Sequence, residues 1–344
     1  MKYKIIVSTL LAIILAPSNA IAVPVVDQRA VSHKGLEDLL LPKRPLNRSK
    51  LGVNAFVNDS RFGSIKSQLS EVSTTLKLKQ VRMLFNWSDA VQATPDGKYN
   101  FGFYDTISRS IPKDVSAIVV LAGLPSWMKD PKNWIDNNPR TTFVKKWVEP
   151  VAKRFRSSAG IVGWEIWNEP NMLANPDNTT LDLVNKPENY VEMISLASAA
   201  IKRISNRKRV VSAATTAINQ NFPSSLNYNK NLVQAGILNA VDVFGIHYYG
   251  KQIENVIFPG GVKDFVQTVT KPIWITESGE KGTLKQRDYA QRVFPYLIGL
   301  SSNISRIYIY QFTEATPASE TYGLKNLTPG KTVSDLYIYL RDSQ

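Results

Sequence analysis

The chain contains no cysteine, and only two of its 344 residues are histidine, His33 and His247. The first absence excludes disulfides, thiolate nucleophiles and zinc–thiolate sites. The second leaves too few imidazoles for a typical metal centre, and no cofactor is implied. Acids are scarce beside bases, 28 against 42, for a formal net charge of +14. After the first 22 residues no uncharged apolar run is long enough to cross a bilayer. G-x-S-x-G and P-loop strings are missing. Residues 57–63, V-N-D-S-R-F-G, offer no Gly-rich phosphate turn after the first predicted strand, which argues against an open dinucleotide-binding sheet. No short-period repeat and no low-complexity tract is visible.

What is present suffices for a large core: 43% of residues are hydrophobic and 20% charged. Lys2 and Lys4, the apolar run from Ile5 to Leu15, and Ala20-Ile21-Ala22 fit a secretory signal cut after Ala22. The expectation is a secreted or periplasmic protein with no membrane span in its mature chain. Residues 23–50 are basic and proline-containing, and read as an N-terminal arm packed on the main domain. Basic residues cluster at 43–50, 145–156 and 202–209. A solvated face is the simpler reading of each cluster, while the total charge equally suits attraction to a polyanion. No nucleic-acid module is visible.

From Leu51 onward strand and helix patterns alternate. Strands are predicted at 51–57, 80–87, 116–123, 161–169, 209–216, 241–250, 272–278 and 305–312, with helical patterns between them. Runs such as A-I-V-V-L-A suit strands buried on both faces. Eight such units predict a single (β/α)8 barrel over 51–344, with functional residues at the C-terminal ends of its strands.

Two of those ends carry carboxylates. I-V-G-W-E-I-W-N-E-P places Glu169 at the tip of strand four; Pro170 cannot donate a backbone hydrogen bond and biases Glu169 towards an extended conformation. P-I-W-I-T-E-S-G places Glu277 at the tip of strand seven. Paired carboxylates across one site are the machinery of glycoside hydrolysis. W-N-E-P followed by W-I-T-E-S-G also resembles the retaining glycoside hydrolases of clan A, most of all glycoside hydrolase family 39, over roughly residues 51–340. The resemblance makes Glu169 the acid/base, Glu277 the nucleophile and Asn168 a donor to the sugar 2-hydroxyl. Glu169 needs a raised pKa, which burial among Trp164 and Trp167 would supply; Glu277 must stay ionised and needs hydrogen-bond donors.

His247 and Tyr249 share an alternation phase on strand six and face the mouth, whereas Tyr248 points away. In clan A this region hydrogen-bonds the nucleophile and the sugar. An inward Arg82 needs an anionic partner, for which Glu165 and Glu277 are candidates. Asn86 and Trp87 end strand two within reach of sugar. G-L-P-S-W-M resembles the P-x-W turn of family 39 and nominates Trp127 for sugar stacking, with Trp134 next; Trp147 and Trp274 read as core. Two positions depart from the family. Leu84 stands where its xylosidases carry His, and strand eight ends Tyr310-Gln311-Phe312 where many clan A members have Trp, leaving Phe312 to replace the indole.

The reading is a retaining glycoside hydrolase acting on a β-linked polysaccharide, an envelope or matrix polymer of bacteria, acidic if the basic surface meets it. A plant-cell-wall endoglycosidase or an exo-acting xylosidase or arabinosidase is the alternative within the class. A non-catalytic polysaccharide-binding barrel is the alternative outside it, and the presence of both glutamates argues against it.

Overall fold

The computed structural model describes residues 41–218, 223–250, 259–328, 330 and 332–343. The predicted signal and residues 23–40 of the arm lie outside the described residues. Eight parallel strands form one sheet: β1 (Leu51–Asn54), β2 (Gln80–Asn86), β3 (Ser116–Ala122), β4 (Ile161–Ile166), β5 (Arg209–Ser212), β6 (Phe244–His247), β7 (Ile273–Ser278) and β8 (Ile304–Ile309). Their order is β5-β4-β3-β2-β1-β8-β7-β6. A parallel bridge between Val211 and Val243 joins the two end strands and closes the (β/α)8 barrel. Closure depends on Gly245, where a Cβ would lie 2.4 Å from the Ser212 carbonyl oxygen.

The strands are short because each needs to span only the barrel wall, and both faces of β3 and β7 are buried. Outward residues pack under the helices. Ile118, Val211, Val243, Trp274 and Tyr308 form a separate apolar cluster drawn from several strands. We read it as the barrel floor.

Pro150 and Pro295 interrupt continuing helical stretches, and each freed carbonyl finds another donor. Pro150 cannot bond back to Lys146, and the stretch Val144–Val148 widens into a π-turn. The Tyr99 hydroxyl donates to the Lys146 carbonyl instead. Pro295 lies inside the helix Gln286–Leu300 and frees the Gln291 carbonyl, which accepts the Arg44 N–H at 2.9 Å. That bond, with Arg292 Nη1 donating to the Leu41 carbonyl at 2.8 Å, lays the described end of the arm along this helix.

Beyond β8 the chain adds what the alternation did not predict, a small sheet of β9 (Thr313–Pro317), β10 (Lys325–Thr328) and β11 (Thr332–Val333), before the helix Asp335–Asp342. No helix among the described residues is long and apolar enough to cross a membrane.

Candidate active site

Arg82, on β2, is 1% exposed and organises the mouth of the barrel. A guanidinium has five N–H donors, and all five are used. Nε and Nη2 grip Glu165 at 2.7 and 2.9 Å. Nη1 donates to Asn54 Oδ1 at 2.8 Å and to Glu277 Oε1 at 2.6 Å. Nη2 also donates to Asn168 Oδ1 at 2.8 Å. Both candidate anionic partners of Arg82 are thus real, and the network ties β1, β2, β4 and β7 together. Asn54 carried no sequence signal; its amide also donates to the Thr276 carbonyl at 3.0 Å.

Glu277 reaches this network through an irregularity in β7. The β7–β8 register shifts between Ile275 and Ser278, and the β6–β7 register shifts beside His247. The extra residue breaks strict alternation and turns Glu277 inward above Trp274. Its Oε2 accepts the Tyr249 hydroxyl at 2.9 Å. Burial pushes the Glu277 carboxyl up, but His247 and Arg82 beside it, and the bonds from Tyr249 and Arg82, outweigh burial and hold it below the usual range.

Glu169 is placed by main chain. β4 ends at Ile166, three residues before the predicted tip, and the next residues form a turn with Trp167 at φ 76° and Glu169 at φ 46°. The extended conformation expected before Pro170 is therefore not adopted. Bonds from neighbouring segments override the local preference. Glu169 N–H donates to the Ala214 carbonyl at 2.9 Å. Buried Asn178 donates to the carbonyls of Glu169 and Met172, both at 2.8 Å, and accepts the Trp167 indole N–H at 2.6 Å. Trp167 packs edge-on against Phe143 in the helix layer, and Trp164 alternates with inward Glu165. The indoles thus do not enclose Glu169 as expected, and 16% of its side chain is exposed.

His247, fully buried, lies between the two carboxylates. Its Nδ1 is 3.0 Å from Glu169 Oε1 and its Nε2 is 3.5 Å from Glu277 Oε1. One ligand atom from each of Glu169, His247 and Glu277 lies within 4.8 Å of the others. Such a trio has the donor types of a cation site, but the Arg82 guanidinium already occupies Glu277 and supplies the positive charge there.

The aromatic candidates separate into two groups. Trp87 is fully buried, stacks on Trp147 at 6.0 Å and donates its N–H to Gln92, so it is core rather than sugar contact. Phe312 is likewise fully buried, under Lys325, and does not stand in for an indole at the mouth. Half-buried Trp127 and Trp134 lie on the loop after β3, their N–H groups donating to the carbonyls of Gln92 and Met128. Asn86 is half-buried against Gly123, where a Cβ would strike its amide. Tyr248 is buried, as its phase implied.

The rings beside Glu277 are instead Tyr249, Tyr310 and Tyr322, a mutually edge-packed trio with centroids 5.5 to 6.1 Å apart. Burial first and Glu277 second drive the Tyr249 and Tyr310 hydroxyls well above their ordinary value. Burial, with Glu280, Glu314 and Glu277, pushes Tyr322 up to about 12. Tyr310 follows directly on the last residue of β8. Tyr322 arrives from the unpredicted segment between β9 and β10, and no motif marks it.

Three comparisons bear on this arrangement. The family model described as cellulase (glycosyl hydrolase family 5) matches residues 47–311. No curated protein matches the chain by sequence. Among solved structures, a family 39 glycoside hydrolase from the gut symbiont Bacteroides cellulosilyticus WH2 superposes with a TM-score of 0.61 at 13% identity, covering 87% of this chain and 64% of its own. A family 39 β-xylosidase from Caulobacter crescentus gives 0.61 at 16%, covering 88% and 72%. The family 39 enzyme from Xanthomonas axonopodis pv. citri gives 0.57 at 17%, covering 88% and 67%. At these identities the structures show a shared fold, and both families agree with the clan A resemblance read from W-N-E-P and W-I-T-E-S-G. With the matched region running from the residues just before β1 to the end of β8, the chain belongs to the cellulase family, glycosyl hydrolase family 5.

Proposed function

We propose that the chain is a retaining glycoside hydrolase that cleaves β-linked polysaccharide by double displacement. The observation that carries this is the closeness of Glu169 and Glu277, with carboxylate oxygens within 4.8 Å. Retention needs carboxyl groups about 5–5.5 Å apart, whereas inversion needs room for an intervening water. Glu277, ionised in its socket of donors, attacks the anomeric carbon as Glu169 gives its proton to the departing glycosidic oxygen. The glycosyl ester on Glu277 is then attacked by water, whose proton returns to Glu169.

Asn168 fits the role of 2-hydroxyl donor. Arg82 can only donate, so it fixes the Asn168 oxygen towards itself and leaves the amide N–H groups for substrate. Tyr310 and Tyr322 supply ring edges beside the reacting sugar, and Trp127 and Trp134 offer partly exposed faces further out.

The substrate we favour is an envelope or matrix polymer of bacteria. The acidic character suggested by net charge draws no support from the mouth, whose loops carry more acids than bases. Proton NMR of a cleavage in progress tests the mechanism: the first-formed reducing end should be the β-anomer. An initial α-anomer would establish inversion and end this assignment. A panel of β-glucans, mannans, xylans and bacterial exopolysaccharides, assayed with wild type and Glu277→Gln, separates substrates and distinguishes hydrolysis from binding without turnover.

A further inference from the structure

The positive charge of the chain gathers at the end of the barrel opposite the mouth. The turns that precede the strands form that end. Those before β2, β3, β4, β5 and β7 carry Lys77, Lys113, Arg156, Arg207 and Lys271. The first four are exposed and Lys271 is half-buried. None of the five has an acidic partner among the described residues. The acids at this end, Asp114 before β3 and Asp242 before β6, are already held by Lys79 and Lys202. Arg209 and Arg306, from β5 and β8, add to the charge of this end, with guanidiniums 5.6 and 4.4 Å from the Trp274 ring centre.

A rim of like charge repels itself and destabilises the compact state, a cost that a polyanion removes. The geometry indicates which kind. The cations ring one end of a cylinder, which matches a plane better than a single extended chain. The exposed large apolar residues, Phe103, Leu173, Leu196, Leu284 and Ile338, all lie outside these turns. Without an exposed ring for a sugar face to stack on, the surface suits phosphate headgroups rather than a glycan.

We propose that this rim docks the protein on an anionic phospholipid surface, with the mouth turned away from it towards the polymer. The proposal stands independently of the hydrolytic reading.

Co-sedimentation of the full chain with vesicles of phosphatidylcholine alone, or of phosphatidylcholine with phosphatidylglycerol, tests it. Wild type should prefer the anionic vesicles and release as salt rises. Each cation is worth about fivefold in affinity near such a surface. Lys77→Gln, Lys113→Gln, Arg156→Gln, Arg207→Gln and Lys271→Gln together should therefore weaken binding by at least about a hundredfold. A companion carrying Lys77→Arg, Lys113→Arg, Arg156→Lys, Arg207→Lys and Lys271→Arg should bind like wild type. The apolar run at residues 5–15 is common to all three proteins and cancels in the comparison. Thermal unfolding verifies that each variant folds. Equal binding to both vesicle types, undiminished binding by the glutamine variant, or failure of wild type to bind anionic vesicles would each overturn the proposal. In the last case, capture on immobilised alginate would assign the rim to acidic polysaccharide.

Discussion

The tips of β4 and β7 both present a glutamate to the same space, yet they hold it by opposite means. Glu277 sits in a socket of side chains: Arg82 and Tyr249 bond its two oxygens and His247 stands 3.5 Å away. Glu169 is held through its backbone, by the Ala214 carbonyl and by Asn178. Among the described residues its carboxyl has one partner, His247 at 3.0 Å. The contrast follows the proposed chemistry. A nucleophile must remain an anion, which calls for several fixed donors. An acid/base must gain and lose a proton each turnover, which calls for fixed position and few permanent bonds.

The contrast can be broken first at Glu277. Glu277→Gln should reduce kcat by about 10⁵-fold on every substrate, since no covalent ester can form. Glu169→Ala should cost less, about 10²–10⁴-fold with a poor leaving group and less with an activated aryl glycoside. Added azide should rescue Glu169→Ala to give the β-glycosyl azide. Equal losses in both variants on the activated substrate, with no rescue, would show that the two tips do not divide the work this way.

Arg82→Gln sharpens the comparison by removing the cation from the socket of Glu277. Glu165, fully buried, would lose its cation, and stability measured by denaturant unfolding should fall by about 3–5 kcal/mol. The sign with pH also follows. A depressed carboxyl stabilises the fold above its ordinary pKa, and that contribution disappears as pH falls through the lowered value. Without Arg82 the Glu277 carboxyl rises, so the acid limb of kcat/KM should move to higher pH.

Asn178→Ala has the smallest expected effect, and it tests the other tip. It orphans the Trp167 indole N–H and removes a donor from the Glu169 and Met172 carbonyls, for about 1–3 kcal/mol in unfolding. Its activity loss should resemble that of Glu169→Ala, greater for poor leaving groups than for good ones. A uniform loss across leaving groups would mean that Asn178 supports the fold without positioning Glu169.

The barrel was legible because its signal is local. Apolar strand runs recur between amphipathic stretches, and eight units admit few arrangements. Glu169, Glu277, Asn168, Arg82, Glu165, His247 and Tyr249 were also legible, because strand-end position and alternation phase place them at one mouth. The aromatic wall was not. Trp87 and Phe312 look available from their places near strand ends, but a step of one residue exchanges mouth for core. Tyr310 and Tyr322 took the place beside Glu277, and Tyr322 is delivered by a segment that no periodicity announced.

Chain order and residue type alone determined the eight-stranded closed architecture and the identity of the charged residues at its mouth, because periodicity and strand-end position are properties of neighbouring residues. Only the folded molecule decided how those residues meet. The irregularity that turns Glu277 inward, the Ala214 carbonyl that holds the left-handed turn at Glu169, and the Asn54 bond that completes Arg82 all depend on partners distant in sequence. So does the gathering of unpaired cations at the far end of the barrel, since residues spread over nearly two hundred positions become one face when the sheet closes.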